Sequence, residues 1–152
     1  MRTLNEAKKI VAVVDAGLIA GLGKPVPGQM CVEAAICYAL DLPHGDDPKC
    51  VDEAVRQFKI RLNDAKWSSH AARARGLRAL AIAQLDSKGT IDSQHFALRV
   101  AEQTIREILP IVLRQAGLSR EAERCEREGT EAAAQAAAAA AARAAEAAEA
   151  AR

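Results

Sequence analysis

Residues 29 to 41, QMCVEAAICYALD, are apolar on nearly every side of a helical projection. A helix without a polar face has to be buried all round, so this segment is expected to form the central helix of a domain. The charged residue inside it is Glu33. An ionised carboxylate is costly to bury unless a cation or hydrogen-bond donors reach it, and Lys24, Arg61 or Arg73 are the cations expected to do so.

The remaining chain supplies helices to surround that centre. Leu4, Ala7, Val11, Val14 and Leu18 recur at intervals of three and four, which predicts a helix over residues 3 to 20 closed by Gly21 and Gly23. Asp46, Asp47 and Pro48 predict the start of another, with an aspartate cap and the proline in the first turn, running to about residue 65. On it Val51, Val55, Phe58 and Leu62 share an apolar face. Asp52, Arg56, Lys59 and Asn63 are therefore expected to point elsewhere, Asp52 pairing with Arg56. Ser68 or Ser69 caps a helix reaching to about Leu85, and Ile91, Asp92 and Phe96 have the spacing of a hydrophobic staple around a helix start. That last helix is expected to reach Gly117, kinked or split at Pro110. No segment shows the alternation and β-branched density of a strand, so the predicted fold class is all-α, a compact helical bundle of about five helices.

Beyond Gly117 the composition changes. Residues 119 to 128 are charged and residues 131 to 152 are almost wholly alanine, which favours a helix but buries little area. The expected organisation is a bundle over residues 1 to 117 and a charged, then alanine-rich helical extension or spacer over 118 to 152. With 21 Lys and Arg against 20 Asp and Glu, the chain lacks the net positive field that draws a protein onto nucleic acid or acidic membranes. The opening MRTLNEAKK and the apolar stretch after it, interrupted by Asp15, have neither the form of a signal peptide nor the length of a membrane span. A cytoplasmic protein is expected, with its four cysteines reduced.

Three of those cysteines fall in PGQMCVEAAICYALDLPHGDDPKCV, residues 27 to 51. Cys31 and Cys37 stand on one helix with a rise of roughly 9 Å between them, beyond the reach of a disulfide. Cys50 is expected in the first turn of the next helix, where it could meet either. As zinc ligands, Cys31, Cys37, His44 and Cys50 lack the paired short spacings of structural sites, and no metal or other cofactor is expected. Cys31 follows a Gly-Gln turn at a helix start, where free amides and the macrodipole lower a thiol pKa. If the chain is an enzyme, Cys31 is its nucleophile and His44 its base.

A second polar cluster lies in RLNDAKWSSHAARARGLR, residues 61 to 78. Asn63, Asp64, Trp67, Ser68 and Ser69 sit at a helix junction, where they serve either as caps or as a cleft with an aromatic wall and Arg73, Arg75 and Arg78 as anion contacts. With Lys59, Lys66 and Lys88 the arginines suggest a basic strip. The DSKGTIDS connection is too long for the tight turn of a helix-turn-helix, so nucleic acid is not the expected partner.

The stretch 27 to 51, followed by FKIRLNDAKWSSHAARARGLRALAIAQL, resembles a family of bacterial and phage proteins without an assigned activity, over residues 7 to 118. Members of that family continue into long alanine-rich repeats broken by tyrosines, and the tail here is a short version without them. The resemblance implies an intracellular, phage-borne setting. It marks Cys31, Glu33, His44, Gly45, Asp46, Pro48, Cys50, Asn63, Asp64, Trp67, Ser68 and Ser69 as motif positions.

The functional expectation is a non-enzymatic binding or assembly protein that associates with itself and offers a polar cleft to a protein partner or a small anionic ligand. Glu33, His44, Asp46, Asn63, Asp64, Trp67, Ser68 and Arg73 form that cleft. A thiol enzyme built on Cys31, sequestration of a nucleotide signal, and a DNA-binding helical protein are the alternatives.

Overall fold

Helix α2 (Val32–Ala39) is the buried centre of the first of two units into which the chain divides between Phe96 and Ala97. The computed structural model describes residues 4–150, and among these every regular element is a helix and there is no strand. The all-α class follows the helical periodicities. In the first unit α1 (Leu4–Asp15), α3 (Glu53–Asp64) and α4 (His70–Ala83) pack on α2, and Ile10, Val14, Leu18, Met30, Ile36 and Leu77 lie in the shared core. No described helix is long and apolar enough to cross a membrane.

Several boundaries differ from expectation. Helix α1 stops at Asp15 instead of residue 20, because Gly17 adopts φ +112 and turns the chain so that Leu18 drops into the core. The segment that follows is ordered by its backbone: Ile19 N–H donates to Met30 O at 3.0 Å and Lys24 N–H to Gln29 O at 2.8 Å. At Gly23 a Cβ would collide with the Gln29 carbonyl, so this turn needs a glycine. Met30 is spent in that pairing and Cys31 is the N-cap of α2, its Sγ accepting from Ala34 N–H at 3.3 Å, which shortens the expected helix at its start.

Helix α3 begins at Glu53, not at Pro48. Asp52 is the cap, its Oδ1 accepting from Ala54 N–H at 2.9 Å, and Pro48 to Val51 form a separate turn closed by Val51 N–H on Pro48 O. Asp52 is therefore not the partner of Arg56, which bonds Glu53 at 2.8 Å and reaches Asp46 and Asp47 at 3.7 and 3.9 Å. Cys50 sits in the preceding turn, and all four cysteines are free thiols.

The larger departure is the orientation of α3. Its buried residues are Lys59 and Asn63, while Val55, Phe58 and Leu62 are only half-buried. The polar face of the helix is the one turned to the core.

After α4, capped by Ser69 as expected, helix α5 (Ser93–Gln103) starts at Asp92, whose Oδ1 accepts from His95 N–H at 3.0 Å. In the second unit a π-turn over Thr104–Ile108 leads into α6 (Leu109–Gln115). Pro110 splits the helix as predicted. A proline there cannot donate to the preceding turn, and the wider π-turn takes up the mismatch. Helix α7 (Ser119–Glu128) and α8 (Glu131–Ala150) complete this unit around Leu113, Ala122, Cys125, Ala133 and Ala137. Gly117 lies inside it, and the first turns of the alanine-rich helix are packed, while its later turns are exposed. Gly129, in the left-handed conformation, closes α7, and Arg106 donates to the carbonyls of Glu126, Arg127 and Glu128 at 2.8 to 2.9 Å. The α7 carbonyls that lack intrahelical donors thus receive a guanidinium.

Candidate functional site

The junction between α3 and α4 is bound up in its own backbone. Asn63 Oδ1 accepts from Val32 N–H at 3.1 Å, and its Nδ2 donates to Ile19 O and Asp64 Oδ1, both at 2.9 Å. Asp64 Oδ1 also accepts from Gly21 N–H at 2.8 Å. Trp67 Nε1 donates to Leu62 O at 2.9 Å, and its ring lies over Gly76, where a Cβ would collide with it. Arg73 is buried, with Nε on Asn63 O at 2.7 Å and Nη1 on Leu18 O at 3.1 Å. Ser68 is exposed, Arg75 is exposed, and Arg78 pairs with Asp15 at 2.9 Å. These groups clasp the loop after α1 to the start of α2.

The first cluster is spread out. His44 is exposed and its Nε2 donates to Gly23 O at 3.1 Å. Asp46 faces Arg56. Cys31 is 5% exposed, and burial pushes its thiol up despite the amide bonds that favour the thiolate. The low pKa expected at this helix start is therefore overturned by desolvation. Burial also pushes Cys37 up to about 11. Among the described residues no group of His, Cys, Asp and Glu side chains is placed to hold a metal ion.

Glu33 found a different partner from those expected. Lys59, not Lys24, Arg61 or Arg73, places Nζ 3.1 Å from Glu33 Oε1, and both residues are wholly shielded from solvent. Gln84, at the C-terminus of α4, donates from Nε2 to Glu33 Oε2 at 3.1 Å. Three helices thus converge on one polar cluster in the core. The clustering explains why α3 turns its polar stripe inward: the carboxylate on the central helix needs a cation, and Lys59 shares a stripe with Asn63, which satisfies the α2 amide.

The cluster is under-satisfied. Among the described residues the buried side-chain polar atoms without a hydrogen bond are Glu33 Oε1, Lys59 Nζ and Gln84 Oε1, all of them here. The Lys59 ammonium is at ion-pair distance from Glu33 but not aligned for a hydrogen bond. Burial raises the Glu33 carboxyl and lowers Lys59 to about 8, with their mutual attraction opposing both shifts. Burial therefore favours the uncharged form of each.

Two spaces border the cluster. On the Glu33 side is a cavity of about 60 Å³ next to Cys31, Asp46, Asn63 and Asp64. On the Lys59 side is an apolar groove of about 190 Å³, walled by Val55, Phe58, Leu80, Ile91 and Phe96, with Lys59, Gln84 and Ser87 also lining it. Phe58 and Phe96 meet edge to face, their centroids 6.0 Å apart at 77°. Ser87 is fixed by Asp52, whose N–H donates to its Oγ at 2.9 Å, and Ser93 Oγ donates to Asp52 Oδ2 at 2.7 Å. The inward turn of α3 produces this groove, because it leaves Val55 and Phe58 facing α4 and α5 instead of the core.

Of the expected cleft residues, only Glu33 belongs to this cluster. Lys59 had been assigned to an outward face, and Gln84 carries no local signal. The buried carboxylate was the clue, since it demanded a cation from a neighbouring helix. No family model, curated protein or solved structure matches this chain.

Proposed function

We propose that this chain is a non-enzymatic binding protein whose first unit holds a small molecule in the groove between α3, α4 and the start of α5. The ligand has an apolar body against Phe58 and Phe96 and a head that accepts from Lys59 and donates to Gln84. Glu33 and Lys59 offset each other's charge, so the head is neutral. The observation that supports this reading is that Lys59 and Gln84, each carrying a buried polar atom without a hydrogen bond, are among the residues that line the apolar groove. Buried polar groups are ordinarily paired, and residues with unpaired polar groups beside a pocket suit a ligand that completes them. At about 190 Å³ the groove exceeds the roughly 150 Å³ apolar cavity that takes up benzene.

Benzamide is a suitable probe, with an apolar ring, one acceptor and two donors. Melting followed by Trp67 fluorescence reports on the first unit, which contains the only tryptophan. The expected result is a saturable rise in Tm that disappears in Ala83→Trp, which fills the groove from an exposed lining position. No shift at millimolar benzamide would remove this reading.

Self-association is a second reading, supported by Ile108, Ile111 and Val112 at 57%, 54% and 56% exposure on consecutive turns of the second unit. Native mass spectrometry tests it: a dimer that Ile111→Glu converts to monomer is expected, and a wild-type monomer at micromolar concentration rejects it.

A further inference from the structure

We propose that the second unit binds a phosphate group in the groove between α7 and α8, held by Arg120, Arg124 and Arg143. The site is independent of the groove in the first unit and takes a different class of ligand.

The sequence brings the cations together from two helices. Arg120 and Arg124 are four residues apart on α7 and so share one face of it, while Arg143 is the only cation of the alanine-rich α8. All three line one groove of about 260 Å³, together with Glu121 and with Ala133, Ala136 and Ala137. Alanine side chains offer no donor or acceptor, so the side-chain polar chemistry of the groove is that of the arginines and the glutamate.

Other arginines of the described residues are already held. Arg78 pairs with Asp15 at 2.9 Å, Arg114 with Glu126 at 2.6 Å, and Arg106 donates to the α7 carbonyls. Arg120 and Arg143 are exposed, and among the described residues no carboxylate or carbonyl holds either one. Arg124 bonds Glu128 through Nε at 3.1 Å, which leaves its Nη donors. Two guanidiniums without counter-charges on one groove repel each other, and an anion between them turns that repulsion into attraction.

The start of α7 adds to the same field. Arg120 and Glu121 lie in its first turn, which no side chain caps, and first-turn amides carry the positive end of the helix dipole. The lining has three arginines against one glutamate, so its surplus of two positive charges matches a phosphate dianion. Forked N–H groups fit the several oxygens of a tetrahedral oxyanion, whereas chloride offers a single centre. The groove is smaller than the roughly 300–1,000 Å³ of ordinary small-molecule pockets. It therefore takes free phosphate or a compact phosphate ester.

The test titrates the full, ¹⁵N-labelled chain with sodium phosphate at neutral pH and constant ionic strength, followed by amide NMR. Saturable shifts are expected in the first turn of α7 and at Ala133, Ala136 and Ala137, with the amides of α2 unmoved. Arg143→Gln, at an exposed helical position where glutamine is well tolerated, is expected to weaken binding roughly five-fold or more. Arg75→Gln removes the same charge from an exposed position of the first unit and is expected to leave the affinity unchanged. A parallel titration with phenyl phosphate distinguishes the two sources: tighter binding assigns a small ester with its body along the alanines, and equal binding assigns free phosphate. No saturable shift at millimolar phosphate, the same shifts with chloride alone, or equal weakening by Arg75→Gln and Arg143→Gln would each overturn the proposal.

Discussion

Lys59 Nζ lies 3.1 Å from Glu33 Oε1 where neither residue has any contact with solvent, and no aligned hydrogen bond joins the two atoms. A pair of this kind sets the orientation of α3 and adds little net stability, because two desolvated ions repay their cost only when the surrounding hydrogen bonds are complete.

Removing one partner should therefore be worse than replacing both. Lys59→Met is expected to destabilise the first unit by roughly 3–5 kcal/mol, since it strands a buried carboxylate. Adding Glu33→Gln, which keeps a bond to Gln84, should recover most of that loss. Urea unfolding followed by Trp67 fluorescence measures both, and additive effects would show that the two side chains are not energetically coupled.

Asn63 is predicted to be a structural residue of the first rank. Its side chain bonds Val32 N–H and Ile19 O from a position 1% exposed. Asn63→Ala leaves a buried amide and a half-buried carbonyl unpaired and should cost about 2–4 kcal/mol. Asp64→Ala, at an exposed position, should change stability much less. Equal losses in the two variants would contradict the clasp.

What could be read from the sequence follows from the reach of each signal. The helices are set by periodicity within a few turns, and the caps by residues adjacent to them, so Ser69, Asp92 and the break at Pro110 were legible. The facing of α3 was not. That helix carries an apolar stripe of Val55, Phe58 and Leu62 and a polar stripe of Asp52, Arg56, Lys59 and Asn63, and local rules turn the apolar one inward. The choice was made by Glu33 on α2, a residue far away in the chain. Gln84 and Ser87 were invisible for the same reason: near a helix end they read as surface polar residues, and only the fold brings them to Glu33 and Asp52.

The cysteines should react in an order set by access, not by helix dipoles. Cys31, Cys37 and Cys125 are buried with thiols pushed up, while Cys50 is half-buried in a turn. Iodoacetamide at pH 7.5 is expected to label Cys50 first and the other three only on unfolding. Faster labelling of Cys31 would restore the thiol-enzyme alternative.

In the second unit, Gly129 has φ +64 and lies so close to Arg106 that a Cβ would collide with it. Gly129→Ala should cost at least about 1 kcal/mol from backbone strain and displacement of the guanidinium from the α7 carbonyls. Hydrogen exchange would show this as faster exchange in α7 with α2 unchanged; unaltered α7 protection would mean that the Arg106 cap contributes nothing.

The alkaline behaviour of the first unit should reveal the state of Lys59. Burial lowers it from the ordinary 10.5 to about 8, with Glu33, Cys31 and Cys50 as the ionisable groups that act on it in the opposite direction. Between those two values the unfolded lysine holds a proton that the folded one has released, so its contribution to stability grows as pH rises across the window and is lost as pH falls back through about 8. Glu33 has the opposite sign: its raised carboxyl contributes stability below the ordinary 4.5 that is lost as pH rises. Comparing wild type with Lys59→Met reads the Lys59–Glu33 pair, because the cysteines are common to both while loss of Lys59 also removes the attraction that lowers Glu33. The stability difference in favour of the wild type should widen from pH 8 to pH 10.5, by at most roughly 3 kcal/mol. A difference that stays constant or narrows would show that Glu33 holds the ammonium charged through the alkaline range.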